Sequence, residues 1–166
     1  IPQVSGIPIT LNLIEMLVKR YPDTVVGIKD SSGDWDNTKA VLDAFPGFKV
    51  FPGAETFLLP GMRHGAAGCI SATANINPAA IADLAETWQD DDADAKQAEL
   101  DKVRSVVTEY APIPALKATV AHHSGDEAWR TVRPPLVELD GAAADGVVGK
   151  LDALGFQMPG LAAALA

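Results

Sequence analysis

The stretch Val25–Asp34 constrains the fold of this chain most strongly. A run rich in β-branched residues ends in Lys29 and breaks at once into a loop of Ser, Gly and Asp residues. This pattern is typical of a short strand followed by a tight loop. Because side chains alternate between the two faces of a strand, Val25, Gly27 and Lys29 share one face. A lysine aimed inward at the end of an apolar strand is typical of the active sites of barrel enzymes.

Helical and strand patterns alternate along the first half of the chain. Phe48–Phe51 and Gly68–Thr73 are the second and third predicted strands, and Ile1–Gly6 has the pattern of a strand exit into a loop. Strands that alternate with helices predict βαβ units and a parallel sheet. The helices are expected to start at capping or proline residues, which are Thr10, Asp34 or Asp36, Pro78 and Pro114, with Pro60 in the first turn of another.

Composition and charge exclude several classes of protein. The 166 residues are 48% hydrophobic and 21% charged, which describes a globular protein. A net charge of -9 disfavours nucleic acid and anionic membranes as partners, because both need clustered Lys and Arg. The single cysteine, Cys69, allows no internal disulfide framework. With neither a long apolar run nor a signal-peptide pattern, we expect a cytoplasmic protein.

Lys29 is the side chain with the most defined chemical interpretation. A lysine desolvated in an apolar barrel loses proton affinity, and its free amine can attack a carbonyl to form a Schiff base. The alternative is a structural lysine whose stem lies along the strand while its ammonium stays in water. Three acids at strand exits, Asp30, Asp34 and Glu55, have no His or Cys companion and make a weak metal signal. No metal or other cofactor is therefore predicted.

Six segments stand out in this order along the chain: Ile1–Gly6, Gly27–Asp34, Pro52–Glu55, Gly68–Asn75, Pro114–Lys117 and Arg133–Leu136. Together they resemble the dihydrodipicolinate synthase/N-acetylneuraminate lyase family. The segment around Lys29 looks like the Schiff-base strand of that family. The other five resemble, in chain order, the end of the family's Tyr-Asn-x-Pro motif, its Gly-x-Asp/Glu strand end, the strand that follows, and two short motifs of its C-terminal helices.

This resemblance implies an α/β fold that is the C-terminal part of a TIM (β/α)8 barrel. Residues 1–89 would hold about strands six to eight, and residues 90–166 would form the family's C-terminal helical region. The first five strands, the family's proton-shuttling tyrosine and its carboxylate-binding threonines would then precede Ile1. The family usually assembles as a homotetramer, so we expect a homo-oligomer.

The resemblance also implies a lyase that acts on pyruvate or another 2-oxo acid together with an aldehyde. Lys29 would form the Schiff base, and Ser31, Gly53, Glu55 and Ile70 would contact the substrate. Dihydrodipicolinate synthases place an arginine where this chain has Val4. We therefore expect sugar-acid aldol or dehydration chemistry. The alternatives are a dihydrodipicolinate synthase proper and a non-catalytic half-barrel that binds a 2-oxo acid or serves assembly; residues 1–166 alone are expected to be inactive.

Overall fold

The computed structural model describes residues 1–159 and Leu161. Within them it has eight α-helices, two β-strands and three short 3-10 turns. The helices are α1 (Pro2–Ser5), α2 (Leu11–Arg20), α3 (Trp35–Ala44), α4 (Leu58–Arg63), α5 (Pro78–Glu86), α6 (Ala93–Thr108), α7 (Pro112–Ser124) and α8 (Gly141–Ala153); the strands are β1 (Gly27–Asp30) and β2 (Lys49–Pro52); the 3-10 turns are Glu55–Phe57, Thr73–Asn75 and Glu127–Arg130.

The two strands pair in parallel, as the alternation of patterns predicted. Gly27 lies opposite Lys49, and Asp30 lies opposite Pro52. The approach at the start of β1 is close enough to require a glycine. A Cβ atom at position 27 would lie 2.4 Å from the Lys49 carbonyl oxygen. Gly27 is thus needed for strand pairing, in addition to any room it leaves for the stem of Lys29.

The predicted third strand, Gly68–Thr73, is wrong. Residues 67–70 run alongside β2 and donate two backbone hydrogen bonds to it, from the N–H of Ala67 to the carbonyl oxygen of Val50 at 2.9 Å and from the N–H of Ile70 to that of Pro52 at 3.0 Å. Gly68 has φ 138°, which interrupts the extended backbone that a strand ladder needs. The segment then turns into the 3-10 turn at Thr73–Asn75.

The predicted helix starts are mostly confirmed. The hydroxyl of Thr10 accepts the N–H of Leu13 at 3.3 Å, and the carboxylate of Asp34 accepts the N–H of Asp36 at 2.9 Å. Pro60 lies in the first turn of α4, where its missing N–H costs no helical hydrogen bond. Pro78 begins α5.

Two predictions near helix ends were wrong. α7 starts at Pro112 rather than Pro114, because either proline suits a first helical turn and the earlier one begins the helix. The segment Ile1–Gly6 is not a plain loop, because Pro2–Ser5 forms one helical turn that Gly6 ends with φ 72°.

The chain divides into two compact units. The first comprises residues 1–71 and 83–97. Its core lies between β1, β2 and helices α2 and α3, and Ile28, Val18 and Phe45 pack against it. The buried members of this core are Ile14, Val41, Leu42, Val50 and Ala66.

The second unit comprises residues 72–82 and 98–166. Its core is formed chiefly by α6, α7 and α8. The buried residues are Ile76, Val103, Val106, Val107, Ala115, Leu116, Ala118, Ala144, Val147, Leu151 and Phe156. The predicted boundary between barrel and helical region at residue 89 stays a prediction.

None of the helices in the described part of the chain combines the length and the apolar character that crossing a membrane requires.

Candidate active site

The residues that follow β1 and β2 meet at one edge of the sheet. The strands are parallel, so their carboxyl ends lie side by side. The N–H of Gly53 donates to the carbonyl oxygen of Asp30 at 2.6 Å, and the N–H of Ile70 donates to that of Pro52 at 3.0 Å. Three segments that sequence analysis singled out separately therefore run next to one another.

Lys29 occupies the face of the sheet that points away from the core of the first unit. Its neighbour Ile28 packs on that core, and Val50, opposite Ile28, is completely buried there. Alternation along the strand places Lys29, paired with Phe51, on the opposite face. In a βα barrel the face opposite the helices is the interior. Lys29 is exposed among the residues that the structure describes, so these residues do not desolvate it.

Ser31 and Gly53 are in direct contact at the ends of the two strands. A Cβ atom at position 53 would lie 2.3 Å from the Ser31 Oγ and 2.9 Å from the Ser31 Cα. Only a residue without a side chain fits this approach. The hydroxyl of Ser31, which is half-buried, is thereby held at the edge where Lys29 emerges.

Glu55 is the most deeply enclosed of the predicted site residues, with 1% of its surface exposed. Its carboxylate accepts a hydrogen bond from the hydroxyl of Ser71, which is also buried. Its carbonyl oxygen accepts a hydrogen bond from the side-chain amide of Gln97 at 3.0 Å. Glu55 is therefore fixed at both its backbone and its side chain.

Asp30 organises the loop that follows Lys29. Its carboxylate accepts the N–H of Ser32 at 2.9 Å, the hydroxyl of Thr38 at 2.6 Å and the side-chain amide of Asn37 at 3.0 Å. Burial by itself raises the pKa of the Asp30 carboxyl, but the hydrogen bonds from Thr38, Ser32 and Asn37 together hold that pKa below its ordinary value. This network couples the end of β1 to the start of α3.

Ile70 lies on the adjoining segment and is 47% exposed. Its N–H already donates to Pro52. A backbone contact from Ile70 to a substrate would therefore use its carbonyl group.

The three acids that gave a weak metal signal serve other purposes. The carboxylate of Asp30 stabilises its loop, that of Asp34 caps α3 and that of Glu55 binds Ser71. Within residues 1–159 and Leu161, no three His, Cys, Asp or Glu side chains are grouped so that they could hold a metal ion.

Two contributors to this arrangement were missed by sequence analysis. The role of Ser71 was not predicted, because its bond to Glu55 joins residues 16 positions apart. Gln97 was not considered, although it interrupts the buried stripe of α6 between Ala93 and Leu100. A polar amide on an apolar stripe is the signal that could have found it, because a buried amide needs hydrogen-bond partners.

Comparison with known proteins identifies the family. The sequence model of the dihydrodipicolinate synthetase family matches residues 1–154. The chain belongs to this family. The family named by the sequence resemblance is thereby confirmed.

The curated relatives are about twice as long as the chain. An uncharacterized DapA-like lyase from Chloroflexus aurantiacus is 36% identical over 140 residues, which cover 84% of this chain and 46% of that protein. A 4-hydroxy-tetrahydrodipicolinate synthase from Methanococcoides burtonii is 32% identical over 147 residues, covering 84% and 48%. The chain thus spans about half the length of the curated relatives it matches.

Solved structures of the family have the same fold over this region. Dihydrodipicolinate synthase from Agrobacterium tumefaciens superimposes with a TM-score of 0.82 at 30% identity, over 93% of this chain and 52% of that chain. A 2-keto-3-deoxygluconate aldolase from Sulfolobus sulfataricus gives 0.80 at 17% identity, over 93% and 52%, which shows the fold alone. The chain has the fold of about half of such a TIM-barrel protein. Its assignment to strands six to eight stays a prediction.

Proposed function

We propose that the full-length protein that carries this chain is a lyase that forms a Schiff base between Lys29 and pyruvate or another 2-oxo acid. The observation that carries the proposal is the position of Lys29. It lies at the carboxyl end of a parallel strand, on the face away from the helices, beside the ends of the two neighbouring segments. Active sites of barrel enzymes are built from residues at that end.

In the proposed reaction, the neutral amine of Lys29 attacks the ketone carbon of the 2-oxo acid. Water leaves, and the iminium that forms acts as an electron sink. Loss of a proton from the neighbouring carbon gives an enamine, which adds to the carbonyl carbon of an aldehyde and forms a C–C bond. Hydrolysis then returns the product ketone and the free lysine. The reverse sequence cleaves the C–C bond, and dehydration of a hydroxylated 2-oxo acid proceeds through the same intermediate.

The lysine must be neutral to attack. Desolvation favours the neutral amine, because a charged ammonium is penalised in apolar surroundings. Since Lys29 is exposed among the described residues, we propose that its desolvation is supplied by groups other than these, with the proton-shuttling tyrosine and the carboxylate-binding threonines of the family among them. Residues 1–166 alone are then expected to turn over poorly.

We assign the distal, hydroxyl-bearing part of the substrate to Ser31, Gly53 and Glu55, and a separate backbone contact with the substrate to Ile70. Ser31 directly follows the strand that bears Lys29, and Glu55 follows β2. Hydroxyl and carboxylate oxygens suit hydrogen bonds with substrate hydroxyls. Gly53 keeps the approach open, and the backbone carbonyl of Ile70 accepts a hydrogen bond from a hydroxyl of the substrate. Val4, which is 78% exposed, brings no cation for a second carboxylate. These features favour a hydroxylated aldehyde or sugar-acid substrate.

A second candidate is 4-hydroxy-tetrahydrodipicolinate synthesis. The observation in its favour is that a relative 32% identical carries that name. This reaction requires an aldehyde that bears its own carboxylate, for which a cation is the natural partner.

An aldehyde panel separates the two candidates. The full-length protein, including any residues encoded before Ile1, is incubated with pyruvate and either D-glyceraldehyde or L-aspartate semialdehyde, and products are followed by NMR. We expect a new C–C bond with glyceraldehyde and no product with aspartate semialdehyde. The opposite result would assign the protein to dipicolinate synthesis, and no product from any 2-oxo acid and aldehyde would favour the non-catalytic half-barrel.

A further inference from the structure

Gln97 joins two elements that sequence separation keeps far apart. It lies in the second turn of α6 and is 9% exposed. Its side-chain N–H donates to the carbonyl oxygen of Glu55 at 3.0 Å, and its side-chain oxygen accepts the N–H of Leu59 at 3.0 Å. One amide thus binds both ends of the segment that leads from the candidate site into α4.

The first turn of α6 also holds the far end of α4. The guanidinium of Arg63 donates two hydrogen bonds to the carboxylate of Asp94, at 2.9 and 2.8 Å. Asp94 and Gln97 are three residues apart on α6, so they lie on neighbouring positions of one helix face. α4 is therefore attached to α6 at its first residues and at its last.

The side chain of Glu55 depends on this attachment. Its carboxylate is bound by Ser71, and its own backbone is bound by Gln97. Without Gln97, the carbonyl of Glu55 keeps the N–H of Leu58 but loses the side-chain amide that ties it to α6, and the N–H of Leu59 loses the acceptor that Gln97 supplies. Movement of this segment would shift the Glu55 carboxylate relative to Ser71.

We propose that Gln97 is a positioning residue that fixes the Glu55 segment for binding of the aldehyde partner. This inference rests on the proposed function, because it assigns Glu55 to that partner. Gln97 contacts none of the reacting atoms in the scheme, so its loss should weaken aldehyde binding and leave Schiff-base formation at Lys29 unchanged.

The test uses the full-length protein with the variant Gln97→Met, which keeps the volume and removes both hydrogen bonds. Val103→Ala is the matched control, because it removes buried volume from the same helix within the core of the second unit. Gln97→Glu keeps an acceptor for Leu59 but loses the donor to Glu55, and it replaces Gln97→Met if that variant does not fold. Three quantities are measured: reduction-trapped pyruvate adduct, the KM for the aldehyde, and amide hydrogen exchange in the peptide 55–63.

We expect Gln97→Met to raise the aldehyde KM about tenfold and to speed exchange in peptide 55–63, with adduct formation at the wild-type level. Val103→Ala should leave all three quantities near wild type. The inference is overturned if the wild type forms the adduct but Gln97→Met changes neither KM nor exchange, or changes them no more than Val103→Ala does. If the wild type forms no adduct, the proposed function itself fails, and this assignment fails with it.

Discussion

Gly53 lies so close to Ser31 that a Cβ atom at position 53 would come within 2.3 Å of the Ser31 Oγ. The contact joins the ends of two parallel strands at the point where Lys29 emerges. Because the neighbouring backbone of Ser31 is also within 2.9 Å of that Cβ, a rotation of the serine hydroxyl alone does not relieve the clash.

Gly53→Ala should therefore lower the free energy of unfolding by about 1–3 kcal/mol, which is the usual range for overpacking in a tight site. Gly149→Ala is the matched control, since Gly149 lies in α8 with open space around its Cβ direction and is expected to stabilise the protein by about 0.5–1 kcal/mol. Urea denaturation of both variants measures the difference. Equal effects of the two substitutions would contradict the crowded approach at Gly53.

The Asp30 network predicts a dependence of stability on pH. The pKa of the Asp30 carboxyl is lower in the folded chain than its ordinary value of about 3.9, so the folded state favours the charged form. This contribution is fully present above that ordinary value and is lost as the pH falls through the lower folded pKa. Asp30→Asn should remove it, together with about 1–3 kcal/mol for the disrupted hydrogen bonds.

The measurement is the free energy of unfolding at pH 7 and near pH 3 for the wild type and for Asp30→Asn. The gap between the two proteins should narrow at the lower pH. Asp36→Asn, an exposed carboxyl at the start of α3, serves as the control. A gap that stays constant or widens toward pH 3 would show that the Asp30 carboxylate is not the stabilising form.

The lowered pKa of the half-buried His123 imidazole leads us to predict a second loss of stability, at a higher pH than the loss that involves Asp30. Burial lowers the pKa of its imidazole, the neighbouring His122 lowers it further, and Asp152 partly opposes both. Its Nε2 is buried without a hydrogen-bond partner among the described residues, and its ring packs against Phe156. The unfolded chain takes up a proton near pH 6.5, before the folded chain does, so stability falls as the pH drops below about 7.

His123→Phe should flatten this part of the pH profile between pH 7 and 5, because it keeps an aromatic ring and removes the titrating group. His64→Gln is the comparison, since His64 is exposed on the other compact unit. Thermal unfolding at several pH values measures both slopes. A profile as steep in His123→Phe as in the wild type would assign the acid sensitivity to another group.

Local sequence patterns predicted the paired strands and most helix starts, because these depend on neighbouring residues. Thr10, Asp34 and Pro60 act where their chemistry predicts. The prediction of the third strand was wrong because composition alone does not fix the backbone conformation. The apolar run at Gly68–Thr73 has strand-like composition, but its ladder requires a backbone conformation that Gly68 does not adopt.

The sequence predicted that these segments lie side by side, but not which side chains hold them in place; that they form a substrate site stays a prediction. Lys29, Ser31, Gly53 and Ile70 lie at the ends of consecutive segments, so the order of motifs was sufficient to place them near one another. Gln97 lies 42 residues from its partner Glu55, and nothing in local spacing indicates that pairing. The burial of Glu55 is likewise a consequence of tertiary packing.

The position of Lys29 could be predicted from the sequence, but its desolvation could not. Its position on β1 is fixed by strand register, which the sequence pattern indicates well. Its desolvation depends on groups that cover the open face of the sheet, and β1 and β2 do not supply them. The chemistry of Lys29 therefore has to be tested in the full-length protein.

The most direct test of the central claim is the mass of the peptide that bears Lys29 after treatment of the full-length protein with pyruvate and borohydride. We predict one reduced pyruvate adduct on Lys29, its loss in Lys29→Arg and its retention in Lys49→Arg, which alters the exposed lysine on the neighbouring strand. The absence of an adduct on Lys29, or equal labelling of Lys29 and Lys49, would contradict the account.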